Sequence, residues 1–404
     1  MRYGVMNKQK IVVVGMGYVG TALADAFDRA GHLVRGYDTD ALKARHGDKG
    51  YPVDTDATKI ALADAVILCV PTGLREDNLT PDLLPVCSAA RAVATHMKED
   101  TLVVVESTLG PGMTERHIKP LLDESGKRYH LAYSPERIDP GNKEWTLKNT
   151  PKLVSADDRE GLRRAMDLYH SVCDEPIPIP SIRVAEAAKC LENTYRLVNI
   201  SLVNDLKLGF QVMGIDLRDV IDAASTKPFG FQAFYPGPGA GGHCIPVDPL
   251  YLQDTLYGVS QPSCLIDYAR MVNNTQPMNV VWTVREHFKW DVKGKKILVV
   301  GVGYKRDSED TRHSPGIEVI RQLAEHQAIV YYHDPLVPRL EVRGLCPASQ
   351  VMTPIAYTVL DCVILMTDHT DIDYKRMATH AAVIVDTRGK FGKGDGVRGT
   401  LIRA

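Results

Sequence analysis

The sequence predicts an α/β protein with two Rossmann-like doubly wound domains joined by a central long-helix dimerisation domain, divided as 1–180, 181–290 and 291–404. Three observations predict it. Residues 10–38 read as strand, glycine turn, helix, strand; a similar strand and turn begin at Lys296; and a proline-free helical pattern runs between them from Arg183 to Met213. With 404 residues, 44% of them hydrophobic, the chain can bury ample core and exceeds one ordinary domain.

The first element is the β-branched run Lys10–Val14, which feeds directly into Gly15-Met16-Gly17-Tyr18-Val19-Gly20. A helix-like stretch, Thr21 to Arg29, follows before Gly31. In such a turn the first glycine makes the bend, the second lets the backbone meet a pyrophosphate and the third lets helix pack on strand. The helix N-terminus supplies amides for the phosphates. The next strand, His32–Tyr37, ends in Asp38, where an acidic side chain would hold a ribose hydroxyl and repel a 2′-phosphate. The pattern points to NAD rather than NADP.

Two further strands deliver polar loops to the same kind of edge. Ala65–Cys69 runs into Val70-Pro71-Thr72-Gly73, and Leu102–Val105 into Glu106-Ser107-Thr108. In a doubly wound sheet the C-terminal ends of the strands form the ligand edge, so Thr72 and Thr108 are placed to offer hydroxyls, unless each simply caps the next helix. A run ending in Leu131-Ala132-Tyr133 brings Ser134-Pro135-Glu136-Arg137-Ile138-Asp139-Pro140-Gly141 there. Glu136 beside Arg137 reads as either a catalytic acid–base group or a surface ion pair.

The long helix has Ser181 as a plausible N-cap and Gly214 as a C-terminal stop. Lys189 and Asn193 lie four residues apart, on one face, where they either converge on a ligand or form a solvated polar strip. Ala185, Ala188, Leu191, Leu197 and Ile200 imply extensive packing, and a helix of this kind predicts a homodimer. Beyond it, Gly237–Pro249 (GPGAGGHCIPVDP) sets Cys244 in a glycine-rich loop with Asp248 four residues on. Glycines let the backbone approach a ligand closely, prolines stiffen the segment, and a thiol so placed reads as a nucleophile rather than a small buried hydrophobe.

The second α/β unit starts near Gly294. Lys296–Val300 leads into Gly301-Val302-Gly303-Tyr304, then Lys305 to Arg312, before a helix near Ser314-Pro315. Only two glycines match the first turn, so this reads as a Rossmann-like domain whose Lys305 and Arg312 face an anionic ligand, with Arg306 in salt bridges to Asp307, Glu309 or Asp310.

Composition excludes other classes. A formal net charge of −2 and the absence of a basic block argue against nucleic acid or an anionic membrane as partner. The longest apolar runs, Ala65–Val70 and Ile297–Val302, are strand length, and no signal-peptide core precedes the first strand, so a cytoplasmic protein is expected. Eight scattered cysteines with no C-x-x-C pair suggest neither a metal site nor a disulfide framework.

Taken in order, GMGYVG, VPTG, ESTLGPG, SPERIDPGN, KCLENTYR, PGPGAGGHCIPVDP, GVGYKRDSEDTRHSP and DTRG closely resemble the UDP-glucose/GDP-mannose dehydrogenase family over nearly the whole chain. SPER and GGHCIPVDP, with STKPFGFQAFYPGPG, resemble the branch acting on UDP-N-acetylhexosamines, UDP-N-acetylglucosamine 6-dehydrogenases in particular. The resemblance implies an NAD-dependent four-electron oxidation of a primary alcohol to a carboxylate. Cys244 would form a thiohemiacetal and then a thioester, Lys189 and Asn193 would stabilise the oxyanion, and Asp248 would orient Lys189 or a water. Glu136 would serve as base for that water, with Thr108 positioning it. Gly15, Gly17, Tyr18, Val19, Gly20, Asp38, Thr72, Thr108 and Arg312 would hold NAD. Glu136, Arg137, Ile138, Lys189, Asn193, Tyr235, Gly241, Lys305 and Arg388 would hold the UDP-sugar.

Val247 stands where the glucose type has lysine, which agrees with the acetamido branch. Ile138 stands where the family pattern has an acidic residue, Gly73 where it has proline and Ser155-Ala156 where it has a glycine pair, departures that leave the configuration of the hexosamine open. UDP-N-acetylmannosamine and UDP-glucose are the alternative substrates. Two rival readings are a two-electron hydroxy-acid dehydrogenase, which has no use for Cys244 or a second Rossmann-like domain, and a non-catalytic NAD-responsive protein. The presence of Glu136, Lys189, Asn193, Cys244 and Asp248 together counts against the latter.

Overall fold

The computed structural model describes residues 8–44, 50–138, 142, 144–342, 349–350, 352–392 and 394–404. The chain divides into two compact units: the first runs through Asn193 and includes Val247–Pro262, and the second comprises Thr194–Pro246 and Ser263–Ala404.

The first unit contains β1 (Lys10–Val14), α1 (Tyr18–Arg29), β2 (Leu33–Tyr37), α2 (Ala41–Ala44), β3 (Val53–Asp54), β4 (Ala65–Leu68), α3 (Leu84–His96), β5 (Thr101–Val105), α4 (Lys119–Asp123), β6 (Tyr129–Tyr133), β7 (Lys152–Ala156), α5 (Arg159–His170) and β8 (Pro176–Pro178). Its sheet has the order β3-β2-β1-β4-β5-β6-β7-β8. All neighbours are parallel except β6 and β7, which pair antiparallel with Tyr133 opposite Ser155.

Parallel strands covered on both faces must be apolar throughout, and every residue of β4 and β5 is buried. Side chains alternate between faces. Val12, Val14, Val66, Leu68, Val103 and Val105 join one core with Val86, Ala90 and Val93 of α3. Ile11, Val13, Ala65, Ile67, Leu102 and Val104 join the other with Leu23 and Phe27 of α1 and Leu168 and Tyr169 of α5.

Two helices pass from one unit into the other: α6 (Ile182–Val212) and, after α7 (Leu217–Ser225), α8 (Cys244–Gly258). The α6 ends fall within a residue of the sequence expectation. Ser181 Oγ accepts from Val184 N at 3.3 Å, and at the other end Gly214 adopts φ +72° while Ile215 N bonds back to Phe210 O at 2.9 Å. The segment Cys244–Pro249 differs from expectation. It is not loop but the opening of α8, because Pro246 falls in the first turn, where a missing N–H costs nothing; Pro249 lies inside the helix.

The second unit continues with α9 (Cys264–His287), β9 (Lys296–Val300), α10 (Pro315–Glu325), β10 (Ile329–His333), α11 (Pro354–Thr358), β11 (Cys362–Leu365), α12 (Tyr374–His380), β12 (Val383–Asp386) and β13 (Thr400–Arg403). Its sheet, β10-β9-β11-β12-β13, is wholly parallel. Val280 and Val284 of α9 and Val319 and Leu323 of α10 cover one face.

Candidate active site

In the first sheet the strand order places β1, β4, β5 and β6 side by side and parallel, so the loops that follow them emerge at one edge. That edge carries the Gly15 turn, Thr72, Thr108 and Glu136. Chain order reverses between β1 and β4, which marks the switch-point crevice where a dinucleotide lies.

The glycine turn is built for close approach. Gly15 has φ +93°, and a Cβ there would sit 2.7 Å from the Cys69 carbonyl. At Gly20 a Cβ would collide with the Gly15 carbonyl, so α1 can begin at Tyr18, three residues earlier than the sequence suggested, with Gly20 in its first turn. Beside Gly17 the space is open, as a pyrophosphate needs. Tyr18 is 60% exposed and Val19 half-buried.

Asp38 accepts from Met16 N at 2.7 Å and from Asp40 N at 2.9 Å, with Lys43 Nζ at 3.2 Å. Burial raises its carboxyl, but these donors outweigh it and hold the group below its ordinary range. It is an ionised acceptor suited to ribose hydroxyls. These residues fit NAD.

Thr72 is buried and Thr108 half-buried, on adjacent loops laced together by Ser107 Oγ, which donates to Val70 O at 2.8 Å. Glu186 of α6, absent from the sequence reading, steadies the segment after Thr108 by accepting from Thr114 N at 2.8 Å and from Gly112 N.

Lys189, Asn193 and Asp248 come together within the first unit. Asn193 Nδ2 donates to Asp248 Oδ2 at 2.6 Å, and Lys189 Nζ lies 3.7 Å from the same oxygen. All three are buried, and burial drives the Asp248 carboxyl upward against the pull of Lys189 and Asn193. Cys244, the first residue of α8, is exposed, and Asp248 follows one turn later. A helix N-terminus favours negative charge, as a thiolate requires.

Glu136 Oε1 accepts from Arg137 N at 2.7 Å and from Ile138 N. Arg137 is spent elsewhere: its guanidinium pairs with Glu192 at 2.8 Å and donates to Pro151 O at 2.6 Å, so the side chain braces the loop rather than awaiting a ligand. Ile138 is half-buried; Asp139, Pro140 and Gly141 of the same motif lie outside the described residues.

In the second unit, Lys305 is half-buried just past β9. Arg312 pairs with Asp310 at 2.6 Å. Arg306 pairs with Asp368, not with Asp307, Glu309 or Asp310, because the β11 loop lies beside the turn. Asp334 fills the second glycine turn, accepting from Val302 N at 2.7 Å, Gly303 N at 3.0 Å and His369 Nε2 at 3.1 Å. That turn gives two amides to the chain's own carboxylate, where the first turn gives Asp38 only that of Met16.

Arg388 donates Nε to Met366 O at 2.6 Å, and burial, with Arg218 and Arg306 nearby, lowers its guanidinium to about 10. Tyr235 is held by Asp222 at 2.6 Å. The backbone between Tyr235 and Gly241 offers fewer donors than the sequence suggested. Gly237 N is taken by Asn204 Oδ1 at 2.9 Å and Ala240 N by Asn273 Oδ1 at 2.7 Å. Gly241 packs so tightly that a Cβ would lie 2.6 Å from the His313 carbonyl.

Among the described residues no cluster of His, Cys, Asp or Glu could hold a metal ion, and no helix is long and apolar enough to cross a membrane.

Comparison with known proteins reaches the same family by another route. Residues 39–173 match the NAD binding domain of the UDP-glucose/GDP-mannose dehydrogenase family, 183–275 its central domain and 298–393 its UDP binding domain. A UDP-N-acetyl-D-glucosamine 6-dehydrogenase of Salmonella typhi is 32% identical, covering 96% of this chain and 94% of the relative. A UDP-glucose dehydrogenase structure from Pyrobaculum islandicum superposes with TM-score 0.90 at 25% identity, covering 100% of this chain and 99% of that one. A UDP-D-ManNAc dehydrogenase structure from Pyrococcus horikoshii gives 0.87 at 26%, covering 98% of each. With its dinucleotide turn and all three matched segments, the chain belongs to the UDP-glucose/GDP-mannose dehydrogenase family and is an NAD-dependent nucleotide-sugar dehydrogenase.

Proposed function

We propose that the chain oxidises the 6-hydroxymethyl group of a UDP-N-acetylhexosamine, foremost UDP-N-acetylglucosamine, to the uronic acid through a thioester on Cys244. The observation that carries this reading is α8, which opens with an exposed thiol and one turn later buries a carboxylate engaged by Lys189 and Asn193. NAD held by Gly15, Gly17, Gly20 and Asp38 would supply the hydride acceptor for each oxidation, the sugar staying bound between the two. The first oxidation leaves an aldehyde, to which the Cys244 thiolate adds. Lys189 and Asn193 stabilise the resulting oxyanion, and loss of the second hydride leaves an acyl group on sulfur. Glu136 takes a proton from water, which displaces the thiolate and releases the carboxylate; Thr108 positions that water.

The sugar assignment rests on SPER and GGHCIPVDP, and on the Salmonella relative. A second reading, UDP-N-acetylmannosamine, is favoured by the Pyrococcus structure and by relatives of that activity at 30% identity. The matched segments support functional boundaries at 1–180, 181–290 and 291–404. We also assign a homodimer to this chain. Leu191, Leu202, Leu206 and Val212 of α6 are 43–88% exposed, an apolar strip that a second copy would cover.

NADH yield per limiting sugar nucleotide, measured with UDP-N-acetylglucosamine, UDP-N-acetylmannosamine and UDP-glucose, tests the chemistry. Two equivalents from the first are expected. A single equivalent would remove the thioester, and two from another sugar would reassign the substrate.

A further inference from the structure

Behind the Glu136 loop lies a buried cluster of charges that the proposed chemistry does not use. Lys152 opens β7 and is 3% exposed; Glu106, just past β5, is 1% exposed. Lys152 Nζ donates to Glu106 Oε2 at 2.8 Å and to Pro135 O at 3.3 Å, which accounts for two of its three N–H groups. Glu136 Oε2 lies 3.9 Å away, buried and without a hydrogen-bond partner. Tyr169 of α5 donates its hydroxyl to Glu106 Oε1 and sets its ring 5.1 Å from the ammonium. Cys69, past β4, and Ser134, past β6, complete the surroundings.

One ammonium therefore faces two carboxylates. A structural ion pair would need only one, and a second buried negative charge is costly unless it is shared or protonated. Glu136 Oε1 is already fixed by two amides, so the only freedom left at this residue concerns Oε2, and the donor beside it is the third N–H of Lys152.

We propose that Lys152 is a positioning residue for Glu136, its ammonium shared between the two carboxylates so that the proton on Glu106 decides how firmly it holds the base. This rests on the reading of Glu136 as the group that activates water. With Glu106 ionised, the ammonium stays on Glu106 and Oε2 of Glu136 is left to accept a proton from water. With Glu106 protonated, the ammonium turns to Glu136 and occupies that oxygen. The only exchange is one proton between Glu106 and solvent. Burial moves the Glu106 carboxyl up to about 7, against the pull of Lys152, which puts that exchange at neutral pH.

The test is kcat and KM across neutral pH for the full chain and three variants, with the sugar nucleotide that yields NADH. Wild-type kcat should rise with pH through about 7. Glu106→Gln should lose that rise, and Lys152→Arg should keep it. Lys152→Met, which leaves Oε2 of Glu136 unoccupied at every pH, should lose the rise as well, keeping kcat below about pH 7 at or above the wild-type value with KM within about twofold. A merely structural Lys152 would reduce the folded fraction and leave the profile in place. An unchanged profile in Glu106→Gln or in Lys152→Met overturns the proposal; if the latter does not fold, Glu106→Gln and Lys152→Arg decide. One NADH per sugar in the wild type overturns both this proposal and the thioester reading. Two NADH with an unmoved profile overturns this proposal alone.

Discussion

Cys244 and Asp248 sit one turn apart on α8 yet have opposite environments, one exposed and one buried. A nucleophile has to meet its substrate, while a group that orients others must be held. Cys244→Ser should therefore keep the fold and NAD binding but lose the second oxidation, with overall turnover down about a thousandfold or more, read as NADH yield and by the absence of a covalent adduct in intact-mass spectra. Glu106 makes a separate prediction. Its carboxyl is raised from 4.5 to about 7, so the folded protein holds this proton more tightly than the unfolded chain. Stability from this group is present in full below 4.5 and is lost as pH rises through about 7. Urea midpoints of Glu106→Gln should lack that decline relative to wild type.

At the scale of elements, the two glycine turns show how one motif serves two ends. The first, after β1, leaves space beside Gly17; the second, after β9, is closed by Asp334. The donors around Asp334 hold its carboxyl at about 2 despite burial. Its contribution is present above the ordinary 3.8 and is lost as pH falls through about 2. Asp334→Ala should strand four amides (Val302, Gly303, Leu336 and Val337) and His369, costing about 2–4 kcal/mol by denaturant unfolding, with NAD affinity of the full chain unchanged. An equal loss of NAD affinity would contradict the division of labour between the turns. Both turns were visible as glycine patterns, but the plug on the second was not, since Asp334 is 31 residues from Gly303 and reaches it only because β10 pairs with β9.

For the whole molecule, the proposed homodimer would cover the exposed leucines and valine of α6. Light scattering should give twice the 44.6 kDa chain mass. Leu202→Glu with Leu206→Glu should shift the protein toward monomer and lower its melting temperature; an unchanged mass would move the dimer contact elsewhere. Of the α6 residues from which the sequence implied packing, Leu197 is buried within the chain and Leu191 is 61% exposed, because helical spacing says which residues share a face and not what that face meets.

The sequence by itself determined the fold class, the dinucleotide turn with Asp38 and the ends of α6. All of these are carried by local patterns: β-branched runs, glycine spacing, a proline-free stretch, an N-cap. Tertiary structure alone decided what each charged side chain is spent on. Arg137 goes to Glu192, Arg306 to Asp368, and Lys152 to Glu106 and Glu136, partners up to 62 positions away. It also made Cys244–Pro249 a helix where its glycines and prolines read as a loop. The physical reason is the same throughout: backbone preference is set by near neighbours in the chain, whereas burial and pairing of charge depend on which strands the sheet order lays side by side.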